Sequence, residues 1–252
     1  MKDLQDKVAI VTGGGGGIGA ASASAMATRG ASVVVADVRL ASAEHCASLI
    51  RAAGGEALAV AADVACKSEV DAMVDAAIQR FGRLDILFNN AGIQYDKAME
   101  DTSEEEWDRL FAINVKGMFL CSKAAIPQME RQGGGVILNC ASVASFRPLM
   151  GMNTAYVASK GAVMAMTRDM AVALAPRNIR VLAICPGPTR TPITADSIAR
   201  GVITDDEVRA LQLTDRIAEP AEIGAIAAYL VSPEARYFVG TGVVADGGML
   251  IA

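Results

Sequence analysis

"VTGGGGGIGA", residues 11–20, decides how the chain is read. Five glycines stand in a row at Gly13–Gly17, a run that in a linker would mean flexibility. Here "KVAIVT" (7–12), a short β-branched apolar run, precedes it, and Ile18, Ala21, Ala25 and Met26 follow at helical spacing. A linker does not fall one residue past the first strand of a compact domain. A ligand loop does. Parallel sheets bind ligands beyond the carboxyl ends of their strands, and a helix N-terminus offers unpaired N–H groups and a positive dipole end to a pyrophosphate. Glycine permits positive φ and lets the backbone approach phosphates with no Cβ in the way. For this stretch alone, a glycine turn without a ligand stays open.

The same alternation continues to the end of the chain. "ASVVVAD" (31–37), "EALAVAAD" (56–63), "RLDILFNN" (83–90), "GGVILNCAS" (134–142) and "NIRVLAICPG" (178–187) read as strands, and "GTGVVADGG" closes the chain. Between them lie helical stripes. Val70, Met73, Val74, Ala77, Ile78 and Phe81 follow a capping pattern at Ser68 and Asp71. Trp107, Leu110, Phe111, Asn114, Val115 and Met118 follow a second one at Ser103 and Glu106. A long helix covers roughly 155–175, and Pro220 stands where a further helix would have its first residue. Near-continuous apolar strands separated by helices imply a doubly wound parallel sheet covered on both faces, in a single α/β domain over 1–252.

Composition narrows the function. The chain has 252 residues, 52% of them hydrophobic and only 4% aromatic, which suits close packing of small side chains rather than disorder. A net charge of -5 gives no electrostatic case for nucleic acid or an anionic membrane. The five cysteines are scattered, odd in number and without a C-x-x-C pair, which fits a reducing cytoplasm better than disulfides or zinc. His45, the only histidine, leaves no His-based metal site and no Ser-His-Asp triad. The start shows no signal-peptide core, and no apolar run is expected to reach membrane-spanning length, so a cytoplasmic location is expected.

The chemical residues follow. In "AYVASKGAV" (155–163), Tyr156 and Lys160 are one helical turn apart and reach the same ligand. A free tyrosine titrates at about 10, and a neighbouring ammonium brings a phenol into the range of a useful base by stabilising the phenolate. Asn114 interrupts an apolar stripe, and a buried amide left unpaired costs about 1–3 kcal/mol, so it belongs either to a structural network or to the site. Ser142 ends the fifth strand, at the crevice, as a turn residue or a substrate contact. Asp37 ends the second strand, where a carboxylate accepts from ribose hydroxyls and repels a 2′-phosphate.

With Thr12, Gly13, Gly17 and Gly19 spaced T-G-x-x-x-G-x-G and the Tyr156/Lys160 pair after them, the chain resembles the short-chain dehydrogenase/reductase family. The resemblance implies a Rossmann-like sheet of about seven strands, and a phosphate loop in which Gly13, Gly17, Ile18 and Gly19 are fixed while Gly14, Gly15 and Gly16 fill variable positions. "NNAG" (89–92) implies dinucleotide contacts at Asn90, Ala91 and Gly92, and Asp63 and Val64 match the pair placed against the adenine. "PGPTRT" (186–191) implies that Pro186, Gly187, Thr189 and Thr191 line the nicotinamide, although the family usually has valine or isoleucine at 189. The implied catalytic set is Asn114, Ser142, Tyr156 and Lys160: Tyr156 as general acid/base, Lys160 beside it on the ribose, Ser142 on the substrate oxygen, Asn114 holding a water of the proton path. Ser142 is one residue further from Tyr156 than in most members, which brings Ser145 into question as the substrate-facing serine.

NAD is the expected cofactor, because Asp37 is acidic and position 16 is glycine where NADP users often carry a base; Arg39 is the dissenting residue. The expected reaction interconverts a small-molecule secondary alcohol and its ketone. Segment 191–215 is expected to be the substrate lid, and Phe146, Leu149, Met150 and Met152 to face an apolar or cyclic substrate. Helix 155–175 carries only Lys160, Arg168 and Asp169 as charges, so more than one side is buried, and the resemblance implies a homotetramer. An NADPH-dependent ketoreductase of the 3-oxoacyl-carrier-protein reductase type and a non-catalytic dinucleotide-binding scaffold are the alternatives.

Overall fold

The strand β1 (Val8–Thr12) is buried at every position, and its side chains divide by period two: Ala9 and Val11 join one hydrophobic cluster, Ile10 the other. The same division runs through β2 (Ser32–Asp37), with Val33 and Val35 on one face and Val34 and Ala36 on the other. Both faces are therefore core, which is why the strands show no polar alternation. Each fully buried valine or isoleucine contributes about 1.5–3 kcal/mol. The computed structural model describes residues 2–147 and 153–252; Leu149, Met150 and Met152 lie outside the described residues.

After β2 the chain forms α2 (Leu40–Ala52), β3 (Ala57–Ala61), α3 (Lys67–Phe81), β4 (Ile86–Asn89), α4 (Glu104–Phe111), α5 (Met118–Arg131) and β5 (Gly135–Cys140). It continues through α6 (Thr154–Leu174), β6 (Ile179–Pro186), α7 (Pro192–Ala199), α8 (Asp205–Ala210), α9 (Pro220–Leu230) and β7 (Gly242–Ala245); α1 (Gly17–Thr28) lies between β1 and β2. Seven parallel strands form one sheet in the order β3-β2-β1-β4-β5-β6-β7. Helices α1, α2 and α9 cover one face, and α3, α5 and α6 the other. Small residues set the distance between α1 and α9: a Cβ on Gly224 would lie 2.7 Å from the Ala21 carbonyl carbon. Because β2 and β4 flank β1 on opposite sides, the chain reverses its direction of growth there, and a crevice opens at the carboxyl ends.

Helix ends follow local chemistry, with one difference from expectation. Ser103 and Glu106 form a capping box on α4, and Pro220 is the first residue of α9. No capping box forms at Ser68. Helix α3 begins at Lys67 behind Cys66, Asp71 pairs with Lys67, and Glu69 instead reaches back to accept from the Asp63 N–H (2.8 Å). The longer glutamate spans a distance that aspartate does not.

Between α4 and α5, residues Ala112–Gly117 form a π-helical turn, so Glu104–Arg131 is one continuous helix of 28 residues. Its best window has a mean hydropathy of 1.2, enough by length and composition to match a membrane span, contrary to the sequence reading. It packs instead as a core helix, with Leu120, Cys121, Ala125 and Met129 in the sheet-facing cluster. The wide turn also offsets the stripe. Leu110, Ile113, Asn114, Gly117 and Met118 form the buried line, whereas Trp107 stays 39% exposed and stacks on Phe111.

Candidate active site

The glycine loop turns sharply between β1 and α1, and steric contacts show why. Gly13 (φ +61°) and Gly17 (φ +52°) lie in the left-handed region. At Gly19 a Cβ would stand 2.1 Å from the Gly13 carbonyl oxygen, so helix and loop meet only through glycine. Gly14 and Gly15 are not free positions either, which corrects the reading of all three middle glycines as variable. A Cβ on Gly14 would meet Val11 O at 2.9 Å, and one on Gly15 would meet Ser42 Cβ at 2.6 Å and the Asp37 carboxylate at 2.8 Å. Only Gly16 has space, its nearest neighbour being 4.0 Å away.

Asp37 is buried at the end of β2, its carboxylate held by N–H donors of the loops: Gly15 N–H to Oδ2 (3.1 Å) and Arg39 N–H to Oδ1 (3.0 Å). The Arg39 side chain is largely exposed, its Nε 3.9 Å from Oδ1. Across the crevice, Thr12 Oγ1 accepts from the Asn90 and Ala91 N–H groups (3.0 and 3.1 Å) and donates to Phe88 O (3.3 Å). The Asn90 side-chain amide donates to Thr12 O (2.9 Å) and Gly13 O (3.2 Å), so the glycine loop and the end of β4 form one unit. Asp63 caps this side; its Oδ2 pairs with Arg109 of α4 at 3.3 Å.

Tyr156 and Lys160 lie on one face of α6, with the Lys160 ammonium 5.5 Å from the Tyr156 ring centroid. Lys160 is 5% exposed and donates to the Cys140 carbonyl at 2.8 Å. Ser142 caps the turn after β5, accepting from Ala144 N–H (3.1 Å), and lines the cleft. Ser145 does not line it; its hydroxyl donates to the Lys160 carbonyl (2.9 Å). The Asn114 side chain accepts from Ile93 N–H (2.9 Å) and donates to Ile93 O (2.9 Å) and Ser159 Oγ (3.2 Å), so both its N–H groups are spent on protein. It stands behind the cleft wall rather than in it. Burial pushes the Cys185 thiol up to about 12 and raises Cys140 despite the Lys160 charge, which disfavours both thiolates.

One cleft of about 630 Å³ gathers Gly13, Gly17, Ile18, Gly19, Asp37, Asp63, Val64, Asn90, Ala91, Gly92, Ser142, Tyr156, Lys160, Pro186, Gly187, Thr189 and Thr191. Thr189 is 3% exposed and donates to the Gly187 carbonyl (3.0 Å), and Thr191 caps α7. The expected lid segment 191–215 contributes Ile193, Ile203, Val208 and Leu211 to an aliphatic wall; sequence reading missed Gln94, Asp96 and Arg109 and, in that wall, Val143 and Met249. No local motif marks these residues. Phe146, read as substrate-facing, does not line the cleft and is 48% exposed. A loop stripped of Cβ atoms at a helix N-terminus, with a carboxylate at the end of β2, fits a dinucleotide.

Comparison with known proteins gives the same picture. A family model described as enoyl-(acyl carrier protein) reductase matches residues 13–250. The chain is 39% identical over 251 residues to a cyclopentanol dehydrogenase of Comamonas testosteroni, covering 98% of each. It is 38% identical to the 7alpha-hydroxysteroid dehydrogenase of Escherichia coli, over 97% of this chain and 94% of that one. The crystal structure of a 3-ketoacyl-(acyl-carrier-protein) reductase from Brucella melitensis complexed with NADH superposes with a TM-score of 0.91 at 38% identity, covering 98% of this chain and 100% of that one. The chain therefore belongs to the short-chain dehydrogenase/reductase family, oxidoreductases that act on CH–OH groups with a nicotinamide dinucleotide.

Proposed function

We propose that this chain is an NAD-dependent dehydrogenase interconverting an apolar, alicyclic secondary alcohol and its ketone. The observation that carries the reading is that Ser142, Tyr156 and Lys160 meet an aliphatic wall in the same cleft as the glycine loop. The dinucleotide, when bound, supplies the hydride acceptor or donor. In the oxidation direction Tyr156 takes the hydroxyl proton as the C–H bond breaks. Lys160 favours negative charge on the phenol oxygen and holds the ribose, and Ser142 orients the substrate oxygen. Asn114 acts as a positioning residue: with its side-chain donors spent on Ile93 and Ser159, its side chain can meet a water of the proton path only as an acceptor.

The motif residues of the cleft, from Gly13 to Thr191, hold the dinucleotide, with Asp37 selecting NAD; glycine at 16 and an NADH-bound neighbour at 38% identity support this. Segment 191–215 serves as the lid, contributing Ile193, Ile203, Val208 and Leu211 to the wall. Relatives named for cyclopentanol and a hydroxysteroid support an alicyclic substrate. Trp107, Phe119 and Val172 leave apolar surface exposed on α4, α5 and α6, which supports a homotetramer; a monomer mass by light scattering would overturn that part. Five free cysteines support a cytoplasmic location, which fractionation would check.

The test is the near-ultraviolet absorbance of reduced nicotinamide with NAD, then NADP, over cyclic, steroid, aliphatic and polyol alcohols. Turnover of cyclic alcohols with NAD is expected. Turnover only of charged, hydrophilic alcohols would refute the substrate class. A second reading, an NADPH-dependent ketoreductase, is favoured by the free reach of Arg39 toward a 2′-phosphate, and faster turnover with NADP would select it. NADH binding with no turnover of any alcohol or ketone would leave the scaffold.

A further inference from the structure

Helix α7 forms part of the cleft wall, yet among its residues only Ser197 is buried. Ile193, which would anchor such a helix by apolar burial, is 44% exposed. What holds α7 is polar. Ser197 Oγ donates at 2.7 Å to Oδ2 of Asp96, on the loop after β4, and the Arg200 guanidinium, just past the helix, pairs with the same oxygen. Gln94 Nε2 donates to Oδ1 at 2.9 Å. The Asp96 side chain is only 5% exposed, so its charge is withdrawn from water and held by three donors.

We infer that Asp96 is the latch of the lid: the carboxylate that fastens α7 over the substrate end of the cleft and sets how readily it opens. The fixed side of the latch is rigid, because Ile93 on the same loop is pinned through both backbone groups to Asn114. The moving side is α7, whose one buried residue, Ser197, makes its side-chain contact to this carboxylate. Other ion pairs around the segment are of a different kind. Arg190–Asp205 and Arg209–Asp215 have both partners substantially exposed and are weakened by solvent and salt. A buried carboxylate that loses a donor keeps its desolvation cost and gains nothing in return. Opening α7 therefore removes the Ser197 and Arg200 donors from Asp96 and leaves it only Gln94 of its own loop, and closing restores both contacts together, which makes the element two-state.

The inference deepens the dehydrogenase reading, in that an alcohol is what enters beneath α7, but its principal test needs no turnover. Hydrogen exchange of residues 192–200 is followed by mass spectrometry in the unaltered chain, Asp96→Asn, Arg200→Gln and the double variant, each with and without NADH. Arg200 does not line the cleft, so its variant probes the latch where Asp96→Asn disturbs folding. Each single substitution is expected to speed exchange of that segment roughly tenfold, the weight of one charge-assisted hydrogen bond. Exchange in the sheet should not change, and the double variant should be no faster than the faster single one. Unchanged exchange at 192–200, or single effects that multiply in the double variant, would overturn the latch.

With NAD and cyclopentanol, Arg200→Gln, at a residue outside the cleft lining, should raise KM while kcat stays within about twofold; a fall in kcat at unchanged KM would also overturn the latch. Absence of turnover in the unaltered chain would count against the dehydrogenase reading and leave exchange to decide the latch.

Discussion

Gly19→Ala should damage dinucleotide binding, and Gly16→Ala, three residues earlier, should not. Gly19 lies in the first turn of α1, where alanine would ordinarily favour the helix by about 1 kcal/mol. Its Cβ, however, would stand 2.1 Å from Gly13 O and 2.6 Å from Asn90 Nδ2, with backbone as the nearer neighbour. Relief requires a shift of more than an ångström in the loop or in α1. Overpacking of this kind costs about 1–3 kcal/mol, and the displaced carbonyl also accepts from Asn90 at 3.2 Å. Since the strained atoms form the phosphate cradle, NADH should bind roughly fivefold to a hundredfold more weakly.

Gly16 offers the control. It has extended backbone (φ -168°) and no atom closer than 4.0 Å to a built Cβ. Alanine there restricts the unfolded chain and should stabilise the fold by about 0.4–1 kcal/mol, leaving NADH affinity within about twofold. Fluorescence titration with NADH and thermal unfolding read both effects. Equal loss of affinity in the two variants would refute the steric argument.

Tyr156→Phe should lower turnover by at least about a hundredfold and leave NADH binding intact; unchanged turnover would remove Tyr156 from the chemistry. Asp37→Ala should lower NAD efficiency and raise NADP efficiency, because a carboxylate facing a 2′-phosphate is removed; an unchanged ratio of the two would move cofactor choice elsewhere. The Asp85 carboxyl is held below the usual carboxylate range: burial pushes it up, but the Arg83 guanidinium, the Val8 N–H and Lys7 outweigh that. A carboxyl lowered by folding contributes its stability above the unfolded value and loses it as pH falls through the folded one. Asp85→Asn should therefore lower the melting temperature at neutral pH, and the difference should shrink in acid; a constant difference across pH would refute the linkage.

The sheet and most of the cleft were legible because both rest on local pattern. Apolar runs such as Val33–Ala36 name their own strand, and Gly13, Gly17 and Gly19 stand directly between a strand pattern and a helical one, where a tight turn is needed. The tight packing of Gly14 and Gly15 was not legible, since it depends on Val35, Asp37 and Ser42, which the fold brings against the loop. The π-turn was hidden for a related reason. A stripe read at a period of 3.6 passes through Asn114 unbroken, while the extra residue in the turn leaves Trp107 half in solvent. Asp96 carries no motif, and its partners Ser197 and Arg200 follow it by about a hundred residues, so only the folded chain brings them together.

Thr12 has a consequence of its own. A single hydroxyl receives the first two N–H groups past β4 and gives its proton to the strand itself, while Asn90 returns two bonds to the other side. The crevice is thus riveted along the edge where the sheet changes direction, and the two strands there cannot part to admit anything. The glycine loop and the end of β4 therefore behave as a single body, one fixed jaw of the cleft.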